Sequence, residues 1–275
     1  MSNRLEGGTQ PPSWVPDEVD VTVPNAARMY DYLLGGYHNF AVDREYAEQV
    51  EQALPGARQG AYANRAFVGR VVRWLAGVGI RQFLDIGSGI PTAGNVHEIA
   101  EQAAPGVRVM YVDIDPVAVA HTRTILANHP RCGVLQADLR HPADIINHPD
   151  VNRVLDFSEP VAVLLTTVLY YISDADNPFR IVGQLRDAVV AGSYIALTHG
   201  IHMAELAEGQ ESVRRLLQRS PTSLHLRTRE QVERLLAGLD VVAPGIVPVA
   251  DWHPELSGGE SEPWPSLLAA VGRKP

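Results

Sequence analysis

The stretch Phe83-Leu84-Asp85-Ile86-Gly87-Ser88-Gly89-Ile90-Pro91-Thr92 runs an apolar strand into a glycine turn and on toward a helix, and it constrains the fold more tightly than any other segment. Beyond it, short apolar runs keep alternating with helical ones. Strands are expected at Gln82–Ile86, Val107–Val112, Gly133–Gln136, Val161–Thr166, Tyr194–Thr198, Val241–Val249 and Leu267–Gly272. Helices are expected between them at Ala93–Ala103, Pro116–Asn128, Pro178–Val190, Met203–Gln218 and Thr228–Ala237. Such alternation implies a mostly parallel sheet covered on both faces, a doubly wound α/β fold. No helix separates the last two strands, so the final one is expected to pair antiparallel.

The chain ahead of this core reads differently. Residues 1–24 are polar and Pro-rich and are expected to form an extended lead-in. Asn25 is a helix cap for Ala26, Met29, Tyr30 and Leu33, whose spacing is helical and stops at Gly35-Gly36. Further helices are expected over Asp43–Leu54 and Ala57–Ala76. Residues 25–275 are therefore read as a single domain, with 25–77 a helical lid and 78–275 the core. The net charge of −9 and scattered basic residues argue against nucleic acid as a partner. One cysteine, Cys132, rules out an internal disulfide and a cysteine-built metal site. The longest apolar run, Val161–Ile172, is too short to span a bilayer, and no secretory signal is visible, so a cytoplasmic protein is expected.

The glycine turn itself carries chemistry. Gly87 and Gly89, with Ser88 between them, allow a sharp turn and close approach of a ligand. A dinucleotide fingerprint would need a third glycine where Thr92 stands, and Asp85 ahead of the turn would repel a pyrophosphate. A ligand with a cationic amine fits better. The second strand ends in Asp113-Ile114-Asp115-Pro116. Asp113 is placed to accept from a ribose diol, Ile114 joins it as a candidate contact, and Asp115 before Pro116 suits a helix cap. The third strand ends in Asp138-Leu139, where a carboxylate can take the amino group of adenine and the Leu139 backbone can address the ring. Three acids at three successive strand ends place polar groups along one crevice, where ligands of open α/β sheets bind.

With these residues the chain resembles the class I S-adenosylmethionine-dependent methyltransferases. It is more closely similar to a bacterial family of such proteins long known as a domain of unknown function. The markers are Pro24-Asn-Ala-Ala-Arg28-Met-Tyr-Asp31-Tyr-Leu-Leu-Gly-Gly36, Asn39-Phe40, Asn64-Arg65-Ala-Phe67, the Phe83–Thr92 turn, Asn95-Val-His97-Glu98 and Val271-Gly-Arg-Lys274. The resemblance implies a seven-stranded sheet of order 3-2-1-4-5-7-6 with the last strand antiparallel. It implies S-adenosylmethionine as cofactor, with S-adenosylhomocysteine as product. Asp85, Gly87 and Gly89 would lie along its methionine part, Asp113 on ribose and Asp138 at adenine. Thr166 and Thr167 would flank the sulfonium. Tyr170 and Tyr171 stand where many relatives carry histidines, so a histidine base is not expected there.

Other candidates complete the expectation. Arg28 suits a planar carboxylate, with Arg65 as the alternative, while Tyr32, Gly35 and Gly36 are candidates for closing over the sulfonium. If the acceptor must lose a proton, His199 after the fifth strand ranks ahead of His38, with Tyr170 shaping the acceptor pocket. The Asp251-Trp252-His253 loop is counted with that pocket. His199-Gly-Ile-His202 has weak metal spacing and no acidic third ligand, so no metal is expected. The leading reading is a methyltransferase acting on a small molecule. Against it stand an S-adenosylmethionine-binding sensor or partner-binding module without catalysis, and a nicotinamide-dependent oxidoreductase.

Overall fold

The computed structural model describes residues 19–91, 94–218, 223–256 and 264–275. Residues 1–18 of the expected lead-in, and Thr92 and Ala93 at the expected start of a helix, lie outside the described residues. Five parallel strands form the centre: β1 (Gln82–Ile86), β2 (Arg108–Asp113), β3 (Cys132–Gln136), β4 (Ala162–Thr166) and β5 (Tyr194–Gly200). Then come β6 (Asp240–Val241), β7 (Val247–Pro248) and β8 (Leu267–Arg273), with β8 antiparallel to β5, β6 and β7. The order is 3-2-1-4-5-8-6, with β7 also on β8. This is the expected topology, with one strand divided. Pro244 has no amide hydrogen, and Gly245, at φ +97°, turns back to donate to the Val242 carbonyl, so the run from 241 to 249 cannot stay extended.

Ten helices surround the sheet among the described residues: α1 (Ala26–Leu33), α2 (Ala41–Ala53), α3 (Ala57–Gly77), α4 (Val96–Ala103), α5 (Pro116–Ile125), α6 (Pro142–Ile146), α7 (Pro149–Val154), α8 (Pro178–Ala188), α9 (Ala207–Leu217) and α10 (Arg229–Leu235). The short α6 and α7 were not expected. Each begins on a proline, whose fixed φ suits the first helical position.

Strand parity explains why both faces are covered. Phe83, Val109, Ala162, Ala196 and Ala269 turn to one face and pack with α3 and α4. Their neighbours Leu84, Met110, Val163, Ile195 and Ala270 turn to the other and pack with α6, α7, α8 and α10. Each fully buried aliphatic or aromatic side chain contributes about 1.5–3 kcal/mol, so covering both faces stabilises the sheet. A third cluster joins Met29 and Leu33 of α1, Ala47 and Val50 of α2, Ala61 of α3, and Val213 and Leu217 of α9. The helical cover over the strand ends thus includes α9, far along the chain, as well as the N-terminal helices. Asp43 anchors its entry by accepting from the amides of Asn25 and Phe40.

Candidate active site

The glycine turn closes at the carboxyl end of β1. The amides of Gly87 and Ser88 both donate to the Val112 carbonyl, at 2.8 and 3.2 Å. Gly87 has φ +73°, and a Cβ there would lie 2.4 Å from Val168 Cγ2. Gly89 has φ +67° but faces open space, with nothing within 4 Å of an added Cβ. One glycine is required by packing, the other leaves room. The Gly89 amide donates to Asp113 Oδ2 at 2.7 Å, and the Asp115 amide donates to Oδ1 at 2.9 Å. Burial pushes the Asp113 carboxyl up, while those amides oppose the shift. Asp115 caps α5 by accepting from the Val117 amide.

The other two strand-end acids differ in surroundings. Asp85 is buried, and burial pushes its carboxyl up to about 7, with Arg65 pulling it down and Asp113 adding to the rise. Asp138 is partly exposed. Burial would raise it, but the Arg140 side chain and amide hold it below the ordinary carboxylate range.

A cavity of about 210 Å³ opens between these strand ends and the helical cover. Gly87, Ser88 and Gly89 form one side, Asp113 and Ile114 the next, and Asp138 and Leu139 the far end, with Thr166, Thr167 and Tyr170 opposite. Ile114 is 54% exposed, an apolar side chain held at the rim. Two lining side chains have buried polar atoms without a hydrogen-bond partner among the described residues, Ser88 Oγ and Arg65 Nε. Unsatisfied buried polar atoms of this kind are uncommon, and here they lie beside an open glycine edge and strand-end carboxylates. The donor set fits a ligand carrying an amine, a carboxylate, a diol and a heterocycle.

Asp85, buried one residue before Ile86, is not itself among the lining residues, and several other candidate residues lie elsewhere. Arg28 is 4% exposed and does not line the cavity. It donates to the Val23 carbonyl, lies 3.5 Å from Asp43 and 3.7 Å from Asp115, and stacks on Phe40. Arg65 takes the position on the wall, donating to the Gly94 carbonyl. Tyr32 turns outward to Glu48 and Arg58, and Tyr30 lines the cavity in its place. Gly35 lies off the wall, and Gly36 packs against the Asp31 carboxylate. His38 packs against the His121 ring, away from the cavity.

His199, expected as the base, does not reach the cavity. It is fully buried, with Nδ1 on the Gly200 carbonyl at 2.8 Å and Nε2 on Arg227 at 2.8 Å. A permanently charged guanidinium can only donate, so Nε2 accepts and the ring is neutral. Burial pushes its pKa down to about 4. The Asp251–His253 loop, expected at the acceptor pocket, lies off the cavity as well. Trp252 is fully buried against Phe67 and Trp74 on the sheet face, and its carbonyl accepts from Arg70.

Three residues not counted as site residues organise the wall. Asn64 Nδ2 donates to the Tyr30 hydroxyl at 2.9 Å and lies 3.4 Å from Thr167 Oγ1, while its Oδ1 accepts from Thr198 Oγ1 at 2.8 Å. Thr198 in turn accepts from the Thr167 amide, holding Thr167 at φ +52°. Arg227 donates to the carbonyls of Leu169 and Ile172 and pairs with Asp174, fixing the Tyr170–Tyr171 segment from behind. Asn64 was visible as a sequence marker next to Arg65. Among the described residues no cluster of His, Cys, Asp and Glu has the makings of a metal site, and no helix is long and apolar enough to cross a membrane.

The model of a family described as S-adenosyl methyltransferase matches residues 12–275. A methyltransferase candidate of Thermobifida fusca is 40% identical over 96% of this chain and 99% of its own, with TM-score 0.88. A DUF574 family protein of Streptomyces avermitilis is 37% identical over 93% of this chain and 99% of its own, with TM-score 0.86. An O-methyltransferase family protein of Burkholderia thailandensis, 14% identical over 83% of this chain and 62% of its own at TM-score 0.50, shares the fold. No curated protein matches the chain.

Proposed function

The chain belongs to the S-adenosyl methyltransferase family and is an S-adenosylmethionine-dependent methyltransferase, and from that premise we propose how its cavity holds the cofactor and that its acceptor is a small molecule. When bound, the cofactor supplies an electrophilic methyl group on a sulfonium. Asp85 takes the amine and Arg65 the carboxylate of the methionine end. Asp113 takes the ribose diol. Each of its oxygens accepts one backbone amide and keeps a further lone pair for a hydroxyl. Asp138 and the Leu139 amide address adenine, with Ile114 and Leu139 covering the ring faces.

The observation that carries this reading is the glycine turn bonded to the Asp113 carboxylate on the wall of one cavity with Arg65 and Asp138. Thr166, Thr167 and Tyr170 then border the sulfonium end. Burial pushes the Tyr171 phenol up to about 12 and that of Tyr170 well above its ordinary value, so both keep their protons near neutral pH. They serve as walls rather than bases. With His199 enclosed, the rate rests on alignment and exclusion of water. No feature of the cavity favours the reading as a sensor without catalysis.

The test is turnover. Incubation with S-adenosylmethionine and a panel of small-molecule acceptors should release S-adenosylhomocysteine, measured by mass spectrometry, together with a product 14 Da heavier than its acceptor, the increment for a methyl group replacing hydrogen. Methylation confined to protein or nucleic acid added to the same assay would overturn the small-molecule assignment.

A further inference from the structure

A second cavity, of about 160 Å³, lies behind the first. The two share Ala26, Tyr30, Thr167, Tyr170 and Tyr171, so one aromatic wall belongs to both. Away from that wall the second chamber is bounded by Met29 and Leu33 of α1, Leu54 after α2, Val213 of α9, and Leu224. No Asp, Glu, Lys, Arg or His is among its described lining residues. Its one amide side chain, Gln210, is spent, donating to the Ile201 carbonyl and accepting from the Met203 amide. Of the other polar groups on its wall, the hydroxyls of Thr167, Tyr170 and Tyr171 stand at the end shared with the first cavity, where Tyr30 is already bonded to Ala61 and Asn64, and the Ser266 hydroxyl and Trp264 indole N–H lie away from that end.

We propose that this chamber seats the methyl acceptor and selects an uncharged, largely apolar small molecule whose nucleophilic atom is presented at the tyrosine–threonine wall. The proposal rests on the cofactor reading above. Among the described lining residues an anionic guest would meet no cation, and a cationic one no carboxylate. An unpaired charge moved out of water carries a penalty that apolar contact does not offset. An apolar body gains from the aliphatic walls, and the Thr167, Tyr170 and Tyr171 hydroxyls gathered at the shared end give a hydroxyl on it the most partners there. That orientation brings the reacting atom toward the cofactor. The acceptor's lone pair forms the bond to the methyl carbon, the carbon–sulfur bond breaks with its pair going to sulfur, and the acceptor's proton leaves to water.

Calorimetric titration of the full chain tests this. Three probes of one shape are compared, with and without saturating S-adenosylhomocysteine: 1-naphthol, 1-naphthoate and 1-naphthylmethylammonium. The expected result is 1-naphthol binding at one site at least tenfold more tightly than either charged probe. Leu54→Trp and Leu224→Trp fill the chamber from two sides. Each should weaken 1-naphthol at least tenfold while S-adenosylhomocysteine affinity stays within twofold, which also reports that the variant is folded. A charged probe binding as tightly as 1-naphthol, or 1-naphthol indifferent to both folded variants, would overturn the proposal. Failure of S-adenosylhomocysteine to bind would remove the cofactor assignment instead, and the titrations without it still decide the chamber's preference.

Discussion

The amide of Gly89 donates to Asp113 Oδ2 at 2.7 Å, so the turn that follows β1 is pinned to the acid that ends β2. The same carboxylate receives the Asp115 amide at the start of α5. Asp113 therefore shapes the site before any ligand arrives, and its two roles separate in experiment.

From its position alone, Asp113→Ala would be expected to remove ligand binding and leave the ligand-free protein unchanged. The structure revises the second half. Two amides lose their acceptor, and a buried donor left unpaired costs about 1–3 kcal/mol. The ligand-free melting temperature should fall by about 2–4 °C for each kcal/mol. Most of the stabilisation by S-adenosylhomocysteine should also disappear. Differential scanning calorimetry with and without ligand measures both, and an undiminished ligand shift would contradict the ribose assignment.

Gly87→Ala and Gly89→Ala should part company. Both replace a glycine of positive φ and carry a backbone penalty of about 1 kcal/mol. At residue 87 the added methyl also collides with Val168, so the fold itself should suffer. At residue 89 it meets only the open cavity, so stability should fall little while S-adenosylhomocysteine affinity falls at least tenfold. Chemical denaturation paired with calorimetric titration distinguishes the two.

Arg28→Met and Arg65→Met should likewise differ. Arg28 lies between Asp43 and Asp115 in the interior, and removing it leaves buried carboxylates uncompensated, at about 3–5 kcal/mol. Arg65 faces the cavity, so its loss should barely move the ligand-free melting temperature but weaken S-adenosylmethionine at least tenfold. Unchanged affinity in Arg65→Met would show that the cofactor carboxylate lies elsewhere.

Asp85 sets a pH dependence whose sign is defined. Its folded pKa, about 7, lies above the unfolded value, so its contribution to stability is present at low pH and is lost as pH rises through 7. Asp115, raised to about 6 by burial, adds in the same direction at lower pH. Cofactor binding runs the other way, because a cationic amine needs the ionised carboxylate. S-adenosylmethionine affinity should weaken by about tenfold from pH 8 to pH 6, following the fraction of Asp85 ionised. Asp85→Asn should bind weakly and with a flat profile in titrations across this range.

Much of this was legible from residue types and spacing. β1 spans the expected Gln82–Ile86, and α1 starts after the Asn25 cap. The three acids stand out because each lies at or near the carboxyl end of one of three successive strands. What was misread depends on direction. Tyr30 and Tyr32 are two residues apart on α1, which puts them on nearly opposite sides, and the helix's orientation is set only by packing. His199 was misjudged although strand parity was available. Thr198 faces Asn64 and the helical cover, so its neighbour must face the opposite layer. Arg28 was misjudged because its partners, Asp43 and Asp115, are brought to it by tertiary structure alone.

Every role proposed for the strand-end acids depends on this cavity binding S-adenosylmethionine and its product. The most direct measurement is the melting temperature of the full chain with S-adenosylhomocysteine at 100 times its dissociation constant, against the same excess of NAD. One-site binding at that excess adds about 2.7 kcal/mol, a rise of roughly 5–11 °C for a chain of this size. That rise is expected with S-adenosylhomocysteine and none with NAD. A rise with NAD alone, or with neither, would contradict the cofactor assignment.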